Sequence, residues 1–444
     1  MSSLAGATAV SPPVGPQRLR RRGAHSTARS CAPPQARASR GPTAIFAPQN
    51  VTAVAGAGGC ARPRGATCHS SASPVASSTA EADGAARPLT AVIVGGGPAG
   101  LAACVALRRV GIDAHVYERA TAFSATAGAG VALYPNGILA LRALGPDVEA
   151  EVLARGCELS GMGPAPFQGD GLTAMRQKYG AGMLGIRWAS LQAALASFLP
   201  PDCLHLDVAL DTLDVLESGD GGREKVRVAF KTRDGTPLGG GPVVADMLIG
   251  ADGINSAVRG ALVGDGPPRD NGRVAWRALI NNLADIKRLS TDDTAPASAA
   301  AAAFPEFCPE NCCSFAMLGT GRTGSFMHVG GGGMLWSACC LNASIAASAA
   351  SAAPVAEDAH EYDLAEEFAD AAATARASCA ATFASHPDIL ACLEATPADQ
   401  LRCSRIMDRA PQRAADIAWS GPIALIGDAA HPAGAYTRPL FSSI

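Results

Sequence analysis

The chain has 444 residues, 48% hydrophobic and 17% charged, with a formal net charge of −3. That length allows two domains and a large core, and no stretch of about 18 uninterrupted apolar residues is present to span a bilayer. Residues 1–80 hold nine Arg and no Lys, Asp or Glu, so the remainder is acidic, 27 basic residues against 39, which argues against nucleic acid as a partner.

Residues 1–85 are rich in Arg, Ser, Ala and Pro and lack the apolar run of a secretory signal. This is the composition of an organelle transit peptide; a disordered tail without an address is the alternative. Pro, Gly and Ser interrupt any long Arg-bearing helix, which favours the chloroplast over the mitochondrion. Eleven of the fourteen Cys lie beyond this leader without a C-x-x-C pair. The densest group, Cys308, Cys312 and Cys313, lacks the paired spacing of a zinc site, so no metal is expected. Buried, reduced thiols are expected instead.

Order is expected from Leu89. Thr90 to Val94 is a short apolar, β-branched run that ends in Gly95-Gly96-Gly97-Pro98-Ala99-Gly100. Leu101 to Val110 has helical spacing, and Ile112 to Tyr117 is a second strand ending at Glu118-Arg119. Helices are predicted over Asn136 to Leu144, Val148 to Gly156 and Ala189 to Leu199, the last stopped by Pro200-Pro201. Gly161 to Gly171 reads as irregular. Strands are predicted at Leu204–Ala209, Lys225–Lys231 and Val243–Ile249. A second sheet is predicted from Arg273–Ile280, Ser314–Leu318, Ser325–Val329 and Met334–Leu341. Ser298–Ala303 and Ser344–Ala356 read as low-complexity loops, Tyr362 to Ser385 as a long helix, and Ile423–Ile426 as a strand returning to the first domain.

Gly95, Gly97 and Gly100 have G-x-G-x-x-G spacing between a strand and a helix. The first permits the tight turn, the second lets backbone approach a diphosphate, and the third lets helix and strand pack closely. Glu118, at the end of the next strand, can bind ribose hydroxyls. A second match, Gly319 to Gly324, precedes an alternating strand rather than a helix. It reads as a hairpin loop, as does Gly330 to Gly333. One dinucleotide site is therefore expected.

Leu248 to Arg259 is a strand, an Asp252-Gly253 turn and a helix. Gly427-Asp428-Ala429-Ala430-His431-Pro432 follows the strand at Ile423. With the glycine fingerprint, these segments resemble the flavin-dependent aromatic hydroxylases, the FAD monooxygenases of para-hydroxybenzoate-hydroxylase-like fold. The resemblance covers about residues 90–432. It is nearest in look to salicylate- and urate-hydroxylase-like members and to plant monooxygenases related to zeaxanthin epoxidase. It implies an α/β fold, with a Rossmann-like FAD-binding domain and an interleaved mixed-sheet substrate domain behind a disordered leader. The FAD-binding domain would comprise residues 89–160, 186–265 and 406–444. The substrate domain would comprise 161–185 and 266–405.

The resemblance implies FAD as bound cofactor and NAD(P)H as co-substrate. A small aromatic or isoprenoid compound would be hydroxylated or epoxidised through a flavin C4a-hydroperoxide. It implies that Glu118, beside Arg119, binds the adenosine ribose and that Asp428, after Gly427, binds a ribityl hydroxyl. Asp252 and Gly253 would lie near the diphosphate. Gly128 to Val131, including Gly130, would pass the flavin ring, and Arg187 would open a helix facing the ribityl chain. Trp276-Arg277 matches a common pair in the second sheet, with a core Trp and a solvated Arg as the alternative. The chemistry is flavin-borne. His431 is expected as a packed, hydrogen-bonded side chain beside the ribityl chain, and His328 as the better-placed candidate to meet substrate.

After Pro432 the family pattern continues with a Pro/Gly-rich loop and a helix facing the flavin ring. Ala433 to Ile444 does not match it. Two expectations follow, a truncated gene model of an active enzyme or a short flavoprotein-like fragment with weak or no FAD binding.

Overall fold

A computed structural model of the chain describes residues 87–123, 130–163, 171–217, 223–283, 308, 311–319, 321–341, 368–397, 400–410 and 419–432. The transit-peptide reading, Gly128-Ala129, both Ala/Ser stretches, residues 362–367 and residues 433–444 lie outside the described residues.

The chain begins with β1 (Thr90–Val94), α1 (Pro98–Arg109), β2 (Asp113–Tyr117), β3 (Gly130–Leu133), α2 (Pro135–Leu144) and α3 (Pro146–Arg155). Next come β4 (Cys157–Leu159), β5 (Gly161–Gly163), α4 (Gly171–Tyr179), β6 (Met183–Arg187) and α5 (Trp188–Ala196). These are followed by β7 (Leu204–His205), β8 (Ala209–Leu216), β9 (Lys225–Lys231), β10 (Val243–Ala245), β11 (Met247–Gly250) and α6 (Ala257–Leu262). The second half adds β12 (Arg269–Ile280), β13 (Cys312–Met317), β14 (Thr323–Val329), β15 (Gly333–Leu341), α7 (Phe368–Thr382) and α8 (Pro387–Ala395). It closes with β16 (Arg402–Asp408), β17 (Trp419–Ser420), β18 (Ile423–Leu425) and α9 (Gly427–Ala430).

The first sheet runs β17-β18-β11-β1-β2-β7, parallel except at β17. Its strands are apolar on both faces because both are covered. Ala91 and Ile93 pack with Leu101, Val105, Leu191 and Leu195 of α1 and α5. Val92 and Val94 pack with Val226, Val228 and Leu248, under the antiparallel sheet β10-β9-β8. The expected strand Val243–Ile249 divides at Asp246, whose carboxylate accepts from the Thr90 amide at 2.9 Å and hydroxyl at 3.0 Å. The chain there leaves one sheet for the other. Leu204–Ala209 likewise divides where Asp207 takes φ 59°.

The second large sheet runs β16-β12-β15-β14-β13-β5, antiparallel apart from β5 against β13. Gly161–Gly163, expected to be irregular, is thus an edge strand. One face carries Trp276, Phe326, Met334 and Trp336, packed on Phe383, Ile389 and Leu393 of the α7–α8 region. A third, small sheet, β3-β6-β4, lies between the two halves. Both glycine-rich turns expected to be hairpins are so: Gly319 lies between β13 and β14, and Gly330 between β14 and β15. The eleven Cys of the described residues are free thiols, and burial raises Cys308 to about 12.

Candidate functional site

The three glycines of the first loop do different work. Gly95 takes φ +110°, and a Cβ there would stand 2.3 Å from the Ala251 carbonyl oxygen. A Cβ on Gly100 would stand 2.0 Å from the Gly95 carbonyl oxygen. Gly97 is uncrowded, with nothing nearer its Cβ position than Trp188 Cζ2 at 3.9 Å. The outer glycines therefore allow the turn and the packing, and the middle one leaves room for a ligand. Pro98 occupies the first position of α1, where its missing N–H removes no helical bond. Ala99 and Gly100 follow in the first turn, whose outward amides suit an anion.

Glu118 stands at the end of β2 with its carboxylate fixed by backbone. It accepts from the Gly96 amide at 2.6 Å and the Ala120 amide at 2.9 Å. Lone pairs remain on both oxygens for further donors. Arg119 beside it is exposed. The loop is also held from α5, where buried Gln192 donates through Nε2 to the Gly96 carbonyl at 2.8 Å. Gln192 was not anticipated. Its signal in sequence is a lone amide within the apolar stripe Leu191, Ala194, Leu195.

Segments about 150 and 330 residues further along the chain converge on this loop. Asp252 spends its carboxylate on the start of α6, accepting from Ser256 Oγ at 2.5 Å and from the Ala257 and Val258 amides at 2.7 and 3.2 Å. Burial raises its pKa against those bonds. What this segment brings to Gly95 is its backbone, through Ala251 and the Asp252 amide. Gly253 follows at φ +77°. Gly427 takes φ +55° and presses on Ala99, so that a Cβ there would stand 2.9 Å from Ala99 Cβ. Asp428, next in α9, is exposed.

A buried ion cluster joins the last two segments. Arg259, 1% exposed, donates from Nη1 to the carbonyls of Ala429 and Ala430 at 3.1 and 2.7 Å, and from Nη2 to Asp265 at 2.6 Å. Arg409 reaches the other Asp265 oxygen at 3.0 Å and the Ile254 carbonyl at 2.9 Å. Burial raises Asp265, but the Arg259 hydrogen bond and the charges of Arg259 and Arg409 hold it below its ordinary value. Asp265 and Arg409 carry no sequence motif and were not foreseen.

Arg187 caps α5 and pairs with Gly130 across β3–β6, next to Val131 opposite Ile186. Its Nη1 donates to Asn281 Oδ1 at 2.8 Å, tying this sheet to the end of β12. Its Nε and the adjacent Trp188 Nε1 are buried and have no hydrogen-bond partner. Gly130 faces Val329 and Leu335 of the larger sheet, whose side chains lie 3.3 and 3.5 Å from its Cβ position. Strand alternation puts His328 on the other face, in register with Met334 of the α7–α8 core. His328 is therefore turned away from Gly130, contrary to the expectation that its phase would bring it to substrate. Trp276 is a fully buried core residue, and Arg277, on the opposite face, donates to Ser404 Oγ at 2.8 Å. His431 is hydrogen-bonded, Nδ1 lying 2.5 Å from the Gly427 carbonyl oxygen, but is exposed rather than packed.

These residues fit a dinucleotide. They present an uncrowded glycine before a helix N-terminus, a carboxylate at the next strand end, and two buried N–H groups in want of acceptors. A family model described as FAD binding domain matches residues 89–288. The chain is 34% identical over 212 residues to the aurachin C monooxygenase/isomerase of Stigmatella aurantiaca, covering 46% of this chain and 51% of that protein. It is 37% identical over 202 residues to a 3-amino-4-hydroxybenzoate 2-monooxygenase of Streptomyces platensis, covering 44% and 46%. The chain thus spans about half the length of the curated relatives it matches. Its fold is shared with Klebsiella pneumoniae HpxO complexed with FAD and uric acid, at TM-score 0.56 and 22% identity, over 78% of this chain and 74% of that one. Residues 89–288 thus match an FAD-binding domain model, and over about 200 residues the chain is similar to these monooxygenases.

Proposed function

We propose that the protein is an NAD(P)H-consuming FAD-dependent monooxygenase acting on a small aromatic or isoprenoid compound. The observation that carries this is the meeting of three distant segments, with Gly95 against Ala251 and Gly427 against Ala99. Bound FAD would supply the redox chemistry. One oxygen atom of O2 enters the substrate and the other leaves as water, with NAD(P)H providing two electrons.

The residues divide the remaining work. The Gly97 side of the loop and the α1 N-terminus receive the diphosphate, Glu118 the adenosine ribose, and Asp428 and Arg187 the ribityl side. Gly130 and Val131 run beside the ring. Partly exposed Leu335, beside buried Val329 and opposite Gly130, offers apolar surface that suits an aromatic or isoprenoid skeleton and excludes water. The other G-x-G-x-x-G match is a hairpin, so a single resident dinucleotide with NAD(P)H as a passing co-substrate is the consistent arrangement.

The test is NAD(P)H oxidation by FAD-loaded protein across a panel of phenols, aromatic acids and isoprenoids under labelled dioxygen. Support is substrate-stimulated oxidation with label in the product. Oxidation at one rate with every compound, and no labelled product, refutes the activity.

A further inference from the structure

The proposed site leaves one well-placed group without a task, the indole of Trp188. It is the first residue of α5, and Gln192 lies one helical turn on. Residues four apart share a helix face, and both contacts confirm it. Gln192 reaches the Gly96 carbonyl, and Trp188 Cζ2 lies 3.9 Å from the Gly97 Cβ position. Nε1 is two bonds from Cζ2, so the indole N–H lies in the neighbourhood of the loop glycine. It is buried and has no acceptor. An unpaired buried donor is costly, and a charged acceptor makes the strongest partner for it.

We propose that the Trp188 indole N–H donates a hydrogen bond to the diphosphate of the dinucleotide bound over Gly97. Trp188 is then a binding residue added to the glycine fingerprint, selecting ligands that carry a diphosphate. The assignment rests on the dinucleotide reading of the site.

W188F keeps the aromatic shape and removes only the donor. Apo wild type and W188F are titrated with FAD and with ADP, which carries the diphosphate and no flavin. The dissociation constant is expected to rise about tenfold for both ligands, with an apo melting temperature no lower than that of wild type. A second measurement needs no variant. The chain has four Trp, and in wild-type protein one indole N–H resonance should move downfield when ADP is added. Wild type that binds neither FAD nor ADP overturns the dinucleotide reading together with this assignment. Wild type that binds both, while W188F binds equally well or no indole resonance moves, overturns the Trp188 assignment alone.

Discussion

Gly427 touches Ala99: a Cβ added to Gly427 would stand 2.9 Å from the Ala99 Cβ, although the two are 328 positions apart in the chain. Gly427 also takes φ +55°, which a side chain disfavours. G427V should therefore push α9 away from the start of α1, at a cost of about 1–3 kcal/mol in stability. FAD affinity should fall at least tenfold. A melting curve and an FAD titration check it, and a variant equal to wild type in both would show that this contact does not shape the site.

The glycine loop makes a sharper contrast. At Gly97 nothing lies nearer the Cβ position than 3.9 Å, whereas at Gly100 the Gly95 carbonyl oxygen lies at 2.0 Å. G97V should melt like wild type and lose FAD binding. G100A should melt lower, because its added methyl meets backbone that cannot swing aside. Equal melting temperatures for the two variants would contradict the division of labour.

The Asp265 cluster predicts a pH dependence. Its carboxyl is held below its ordinary value of about 3.9 by Arg259 and Arg409. A depressed folded-state pKa gives stability that is present above the unfolded value and lost as pH falls through the folded one. D265N should cost about 3–5 kcal/mol near neutral pH, since it leaves two largely buried guanidinium groups without their counter-charge. The deficit relative to wild type should shrink as pH falls from neutral to well below the ordinary aspartate value. Urea unfolding at the two pH values measures both, and a deficit independent of pH would remove Asp265 as the cause.

Glu118 is predicted to be structural as well as ligand-binding. E118A strips the Gly96 and Ala120 amides of their acceptor, so stability should drop about 1–3 kcal/mol and FAD should bind more weakly. E118Q keeps an oxygen for one amide and should lose less of both. Thermal melting with FAD titration separates the two variants.

The parts of the protein legible in sequence are those governed by local rules. β1, α1 and β2 follow from β-branched runs flanking glycines whose spacing has a steric reason. Lys225–Lys231 was found to the residue because it alternates. The small sheet β3-β6-β4 was missed because Met183–Arg187 is buried through its first four residues and so shows no alternation. Two predicted strands divided, one at Asp246 and one at Asp207, because strand exchange and positive φ depend on distant partners. In the site, the glycines and Glu118 belong to motifs. Gln192, Asp265, Arg409 and the orientation of His328 depend on tertiary pairing that no local pattern records. The phase of His328 was visible, but the face that meets β3 was not.

The most direct measurement is FAD retention by the purified chain. Protein is incubated with FAD, free ligand is removed by gel filtration, and flavin is counted against protein. Three segments that meet at Gly95, Ala251, Ala99 and Gly427 to form one site should retain stoichiometric FAD in wild type and none in G97V. Colourless wild-type protein, or equal retention by G97V, would contradict it.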